Sequence, residues 1–513
     1  MRPEPVTASE ATPVPAARPQ ASTIGRLPLF HVVGFTGHRH LTNIEAAAAA
    51  IREALELLRR ELSGEWVALS SIADGGDRLF VHQARLLGLS WHAILPLPRA
   101  EFAKDFTEAE WQDVETTLEA ADHVRILEET GDRDESYLDC GIETVNDADV
   151  LLAVWDGDRA RGKGGTADVV QYARSINKPL LIVDAVTNKV RRENWNHLRR
   201  EDPALKDLNS LPEAHSAYSQ NPFSAPDAVH LFQQKCDFYA SHGAPQYRRL
   251  IVSTVLAHVV ATLISAAVTA YGLHLLALPW AEFLFVSFAL SAALVLNRHL
   301  HSHHSWVRCR LAAEFCRSAL ATWGLPRAAP LLQDLDLDGT EGITRALHIL
   351  HLRSAAKNPV GLEEFKSIYL VQRIDDQHAY FEKQLRRAQP LLKRLKLGFW
   401  AGTILAFGVT AFHAISRTFE LPMPEWVKAT AFVFLSISLP VLAAAVISII
   451  SINDLQRRVS RFKDMRVLLD SSRTQVSSCR TWPSVERVVL RTERALLHEV
   501  MEWHSSRAFS SSH

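Results

Sequence analysis

Between Leu27 and Asp184, short apolar runs alternate with stretches of helical spacing. The runs are residues 30–34, 66–70, 91–97, 150–155 and 180–184; the helical stretches include the alanine-rich 44–62 and 77–87. Strands that alternate with helices predict a parallel sheet covered on both faces. Strands buried on both faces read as unbroken apolar runs, as these do. Residues 25–185 are therefore expected to form an α/β domain built on a parallel sheet. The first 24 residues, rich in Ala, Pro and Thr, carry no apolar stretch of the 7–15 residues a secretory signal needs, and are expected to be a disordered tail.

Past Arg249 the pattern changes to long uncharged apolar stretches. Residues 250–271, 397–415 and 429–452 contain no Asp, Glu, Lys or Arg, and 280–296 holds one acid, Glu282. About 20 helical residues cross a bilayer core, so an all-α membrane region of four transmembrane helices is expected, in two hairpins at 250–297 and 397–452. The competing reading is a set of buried core helices in a soluble protein. Trp280, Trp400 and Trp426 lie near the ends of these stretches, where an amphipathic ring suits the interface. Residues 298–396 and 453–513 are expected to be cytoplasmic helical segments, and 186–249 a polar connector with a helix at 227–241.

Charge sets the orientation. Arg248 and Arg249 precede the first span, Arg298, Arg308 and Arg310 follow the second, Lys393, Arg394 and Lys396 precede the third, and Arg457, Arg458, Arg461 and Lys463 follow the fourth. The turns at 271–279 and 416–425 hold only Arg417, so the positive-inside rule places both termini in the cytoplasm. The net charge of −1 gives no bulk field for nucleic acid, and none is expected as a partner. Five cysteines without paired spacing fit a reducing compartment. Cys309 and Cys316 share one helical face and are read as small packing groups.

Three glycine-bearing segments stand at the ends of predicted strands, where open α/β sheets hold ligands. Gly34-Phe35-Thr36-Gly37-His38-Arg39 forms a turn whose free N–H groups suit an anion, with Arg39 placed to pair with a phosphate. The same residues also make an ordinary tight turn. In Ser70-Ser71-Ile72-Ala73-Asp74-Gly75-Gly76-Asp77-Arg78, Asp77 reads as a helix N-cap and Asp74 as an acceptor for a ribose hydroxyl, or both as simple capping. In Gly162-Lys163-Gly164-Gly165-Thr166-Ala167-Asp168, Thr166 reads as a cap; Asp168 falls in the first turn, where the helix dipole alone favours a carboxylate. No catalytic residue, metal ligand or cofactor is expected, and the ligand is expected to be a small molecule that bears a phosphate.

In order, these motifs with Ile94-Leu95-Pro96 and the run from Asp149 through Trp155-Asp156 resemble the SLOG superfamily, over about residues 28–184. That family includes the lonely-guy cytokinin-activating enzymes and DprA-like proteins. The resemblance implies an α/β Rossmann-like parallel-sheet domain whose ligand is a nucleotide or nucleotide derivative. Hydrolytic members use Pro-Gly-Gly-x-Gly-Thr-x-x-Glu with a catalytic Glu; here Lys163 precedes the glycine pair, Thr166 follows sooner and Asp168 replaces Glu, which points to sensing. The membrane half is similar in architecture to the SLATT modules joined to SLOG domains in bacterial conflict systems. The resemblance implies a nucleotide-sensing, membrane-perturbing or pore-forming effector in antiviral defence, in the bacterial inner membrane. The alternative is a membrane-tethered nucleotide hydrolase of the lonely-guy type. A pore from four spans needs several copies, so a homo-oligomer in the lipid bilayer is expected. Coupling is expected to run through 185–249, where Gly243 and Pro245 would break the helix at 227–241 from the first span.

Three lesser features remain. Asp334-x-Asp336-x-Asp338-Gly339 imitates a calcium loop, but Arg345 stands where a Glu is required. His299, His301, His303 and His304 cluster beyond the second span and read as a wet interfacial helix. His258 and His413 lie within spans, facing either a pore or a hydrogen-bond partner on another helix.

Overall fold

In the computed structural model, residues 25–128, 131–158, 164–213, 223–326, 339–355 and 360–508 are described. The chain divides into two compact units: Met1–Lys206 with Leu337–Arg353, and Asp207–Asp336 with Ser354–His513. The calcium-like acids Asp334, Asp336 and Asp338 lie outside the described residues, and the histidines at 299–304 outside the described side chains.

The first unit is built on a seven-stranded sheet in the order β4-β3-β2-β1-β5-β6-β7. Its strands are β1 (Phe30–Gly37), β2 (Glu65–Ser70), β3 (Ser90–Leu95), β4 (His123–Ile126), β5 (Val150–Trp155), β6 (Leu180–Asp184) and β7 (Val190–Glu193). The first six pair in parallel and β7 is antiparallel to β6. Helices α1 (Ile44–Glu61), α2 (Gly76–Leu86), α3 (Arg99–Phe102), α4 (Glu108–Glu119), α5 (Arg133–Asp147) and α6 (Thr166–Ser175) lie in the connections.

Alternate strand residues feed two cores. Val33, Phe35, Leu152, Val154 and Leu181 pack with α1 and α2 on one face; Leu151, Ala153, Leu180 and Ile182 pack with α5 and α6 on the other. Helix α1 shows why it forms: Asn43 caps it by accepting the Ala46 N–H at 3.0 Å, and Ala47, Ala50, Ile51, Ala54, Leu55 and Leu58 make one apolar stripe.

The chain winds outward from β1 through β2, β3 and β4, then returns to β1's other side for β5 and β6. The strand order thus reverses between β1 and β5, the position at which doubly wound sheets open a crevice at their carboxyl ends.

The second unit is helical. It contains α8 (Asp227–Tyr271), α9 (Ala277–Thr322), α11 (Leu362–Tyr369), a π-helical stretch (Leu370–Asp375), α12 (Asp376–Thr418), α13 (Glu425–Val427), a second π-helical stretch (Lys428–Leu435), α14 (Ser436–Ile452), α15 (Leu455–Ser478) and α16 (Trp482–Ala508). Helix α7 (Pro203–Ser210) contains the boundary between the units, and α10 (Glu341–Ala355) belongs to the first unit as far as Arg353.

Among the described residues, four helical stretches are long and apolar enough to cross a membrane: Arg249–Tyr271, Ala277–Val295 and one within each of Leu362–Thr418 and Glu425–Ser478. Only 22%, 11%, 0% and 22% of their most apolar windows is buried inside the protein. Core helices of a soluble protein would be covered; these present their apolar surface outward. Helix α8 packs on α9, and α12 on α14. Inside the apolar stretches His258 bonds the Thr254 carbonyl of its own helix at 3.0 Å, and His413 stacks on Phe432 at 4.3 Å. Among the described residues, neither makes the cross-helix hydrogen bond considered from sequence.

The expected break at Gly243 and Pro245 is absent: α8 is helical from Asp227 to Tyr271. A proline removes one hydrogen bond and costs about 3 kcal/mol, enough to kink a long helix without ending it. Pro390 and Pro440 are likewise enclosed in α12 and α14.

Candidate functional site

The three glycine segments converge. A crevice of about 490 Å³ opens at the carboxyl ends of β1 and β5, lined by Thr36, Gly37, His38, Arg39, Asp74, Asp77, Gly164, Gly165 and Thr166 among the residues anticipated from sequence. Gly34, Ser70, Gly75, Gly76 and Asp168 are not among the lining residues.

The glycines there are required by space. A Cβ on Gly75, whose φ is +87°, would lie 2.1 Å from the Arg39 carbonyl oxygen. A Cβ on Gly164, at φ +80°, would lie 2.8 Å from the Asp134 carbonyl oxygen. Gly37 and Gly76 pass with backbone against backbone, and the Gly76 N–H donates to the His38 carbonyl at 3.0 Å. A Cβ on Gly34 would meet Ala148 at 2.8 Å. These approaches bring the end of β1 and the starts of α2 and α6 to one opening.

Two capping assignments change. Helix α2 begins at Gly76 with Gly75 as N-cap, so Asp77 lies inside the first turn. Its Oδ1 accepts instead from the hydroxyls of Ser70 at 3.0 Å and Ser71 at 2.9 Å. Helix α6 has Gly165 as N-cap and no side-chain cap; Thr166 is its first residue. Serine-rich loops compete for a carboxylate as readily as helix ends do, and the sequence spacing fits both. Asp168 accepts the Gly164 N–H at 3.1 Å and so closes the turn before α6. Asp74 is not free, since Arg78 reaches it at 3.4 Å.

The electrostatics are uneven. Among the described residues, six acids line the crevice, Asp74, Asp77, Asp105, Asp134, Asp156 and Asp158, beside Arg39, Arg133, His38 and His40. Several are already matched: Asp156 pairs with His38 Nε2 at 3.0 Å, and Asp105 accepts from both Arg133 and the Tyr137 hydroxyl. Arg39 lies over the Tyr137 ring, 5.3 Å from its centroid. Burial pushes the Asp77 carboxyl up to about 7, against the Ser71 and Ser70 hydroxyls and the charge of Arg39, which pull it down. Burial therefore favours the proton-bearing form of this acid far more than that of an exposed carboxyl, and that form can donate at the crevice wall. Burial also raises the Cys140 thiol well above its ordinary range, so the thiolate is not the available form.

Sequence reasoning missed the wall formed by α5. Tyr137, Cys140, Gly141 and Thr144 line the crevice from that helix, with Arg133 and Asp134 at its start. The only signal was Arg133-Asp134 after the Asp132 cap, which looks like any helix start. It also missed the loop strain at Ile72, which is buried with φ +54°, a conformation rarely adopted by a β-branched residue.

Among the described residues no group of three or more His, Cys, Asp or Glu is arranged to hold a metal ion. No protein-family model matches the chain, and none of the curated proteins compared with it is significantly similar.

Proposed function

We propose that the α/β unit binds a nucleotide-like ligand carrying a phosphate, and that this binding controls what the membrane-spanning helices do to the bilayer. The observation that carries the reading is one crevice at the strand-order reversal, which receives the uncapped first turn of α6, the turn after β1 and the Arg39 guanidinium. Unsatisfied N–H groups at a helix start suit a phosphate. The carboxylates among the described residues beside them suit hydroxyl donors, which a ribose supplies. A bare anion would meet those acids unfavourably, so the chemistry favours a ligand with both groups.

The rest of the assembly follows from the apolar helices. In this reading the spans form two hairpins, with both termini and the charged helices on the cytoplasmic side, which the distribution of Lys and Arg favours. Several copies in the bilayer make the membrane lesion, since few polar groups in one copy's spans could line a path. The combination matches the SLOG–SLATT resemblance and its role in antiviral conflict.

Hydrolysis of the nucleotide is the second reading, and Asp77 favours it: a carboxyl whose pKa burial raises lies in the crevice wall, whereas Asp168, which replaces the Glu of hydrolytic SLOG members, closes a turn. Turnover during the binding experiment would reveal it.

That experiment is calorimetric titration of the detergent-solubilised full chain with nucleoside 5′-monophosphates, cyclic nucleotides and nucleotide conjugates. Arg39→Ala should weaken the nucleotide that binds by about 10- to 150-fold, the equivalent of a charge-assisted bond of about 1.5–3 kcal/mol. Equal affinity in a folded variant means that the phosphate lies elsewhere.

A further inference from the structure

Helix α10 stands in sequence between the second and third membrane-spanning stretches, yet residues up to Arg353 are part of the α/β unit. Its anchors are numerous. The Gly342 N–H donates to Asp202 at 2.9 Å, so close that a Cβ on Gly342 would lie 2.2 Å from that carboxylate. Arg199 bridges Asp202 and Glu341. Arg345 grips both oxygens of Asp149, which also accepts the Val32 N–H at 2.8 Å. Arg353 donates to Glu65 at 2.6 Å and to Ser90 at 3.2 Å, and lies over the Phe30 ring at 4.6 Å.

Phe30, Glu65 and Ser90 are the first residues of β1, β2 and β3, and Asp149 immediately precedes β5. Helix α10 therefore lies across the amino ends of the central strands, at the opposite end of the sheet from the crevice. Strands β1 and β5 run from one to the other, and so does α5, whose early residues line the crevice and whose last turn leads to Asp149.

We infer that α10 is a second coupling element, through which the ligand-binding unit is tied to the chain between the second and third spans. This rests on the proposed function for its purpose. A helix that serves only the membrane region would not supply Arg345 and Arg353 to the floor of a separate sheet, and Glu341 and the Gly342 N–H to Arg199 and Asp202. The connection through residues 207–226 reaches the first span alone; α10 adds a tie to the next two. A shift at the floor of β1 and β5 then acts on both sides of the loop that carries α10, without passing through α8.

The test needs no ligand, so its outcome is independent of whether the crevice binds a nucleotide. Hydrogen–deuterium exchange is measured on the full chain in lipid nanodiscs for wild type, Arg345→Ala and Arg353→Ala. Exchange in 341–353 should rise at least tenfold in each variant. Exchange should also change in 307–322 of α9 and in 362–369 of α11, while 150–155 keeps its wild-type rate. Loosened α10 with wild-type exchange in both flanking helices overturns the inference, leaving α10 a structural plug. If Arg345→Ala also loosens the strands, Arg353→Lys makes the same comparison, because it keeps the charge on Glu65 and loses only the planar stack on Phe30.

Discussion

Glu493→Ala is expected to cost the helical unit about 3–5 kcal/mol, because it leaves Arg373 charged, buried and without its partner. Glu493 on α16 is fully enclosed and accepts from Arg373 at 2.6 Å and 2.9 Å, from the Tyr369 hydroxyl at 2.9 Å and from the Ser318 hydroxyl at 2.8 Å. Arg373 belongs to the π-helical stretch after α11, a local widening that places its guanidinium against α16. Three chain segments far apart in sequence thus meet on one carboxylate. The pair specifies an arrangement more than it adds net stability, since two desolvated charges roughly cancel what they gain. The double variant Arg373→Met with Glu493→Leu should accordingly recover much of the loss. Denaturant titration of the full chain in detergent measures both; a loss below about 1 kcal/mol for Glu493→Ala would contradict the description.

The second large effect is in the α/β unit and depends on pH. His92 on β3 faces His123 on β4 and His348 and Arg353 on α10, and burial, with those neighbours, lowers it to about 3. His348 is also lowered to about 3 by burial, with His351, His123 and Arg125 facing it. A histidine depressed in the folded state contributes stability above its unfolded value of 6.5, and that stability is lost as pH falls. Between pH 7 and pH 5 the two together should remove about 4 kcal/mol. Asp77 acts in the other direction: its carboxyl is raised, so acidification relieves the cost of its buried charge. The comparison is therefore with His92→Gln/His348→Gln. Wild type should lose about 4 kcal/mol more than that variant over the same interval. Parallel pH profiles would show that these imidazoles are not held neutral by burial.

Much of this was legible along the chain, and the reasons are physical. The central strands announced themselves because burial on both faces demands continuous apolar runs; β5 and β6 fall at the residues expected. The edge strands did not. His123–Ile126 and Val190–Glu193 are partly or wholly exposed and polar, so neither period nor hydrophobicity marks them. The glycine turns of the crevice could be read because backbone geometry excludes other residues. The wall from α5, the partners of Asp77 and the return of α10 to the sheet could not, since they depend on contacts between distant positions. Pro245 misled because a proline signals a break in a short helix and only a perturbation in a helix of 45 residues.

The central claim is that a ligand in the crevice alters the membrane region. Its direct test is dye release from liposomes that contain the full chain, with the nucleotide that binds in the titration supplied from the side bearing the α/β unit. Release should rise with occupancy of the crevice in wild type and shift to correspondingly higher concentration in Arg39→Ala. A nucleotide that saturates the crevice, loses affinity in Arg39→Ala and still releases no dye would contradict the account.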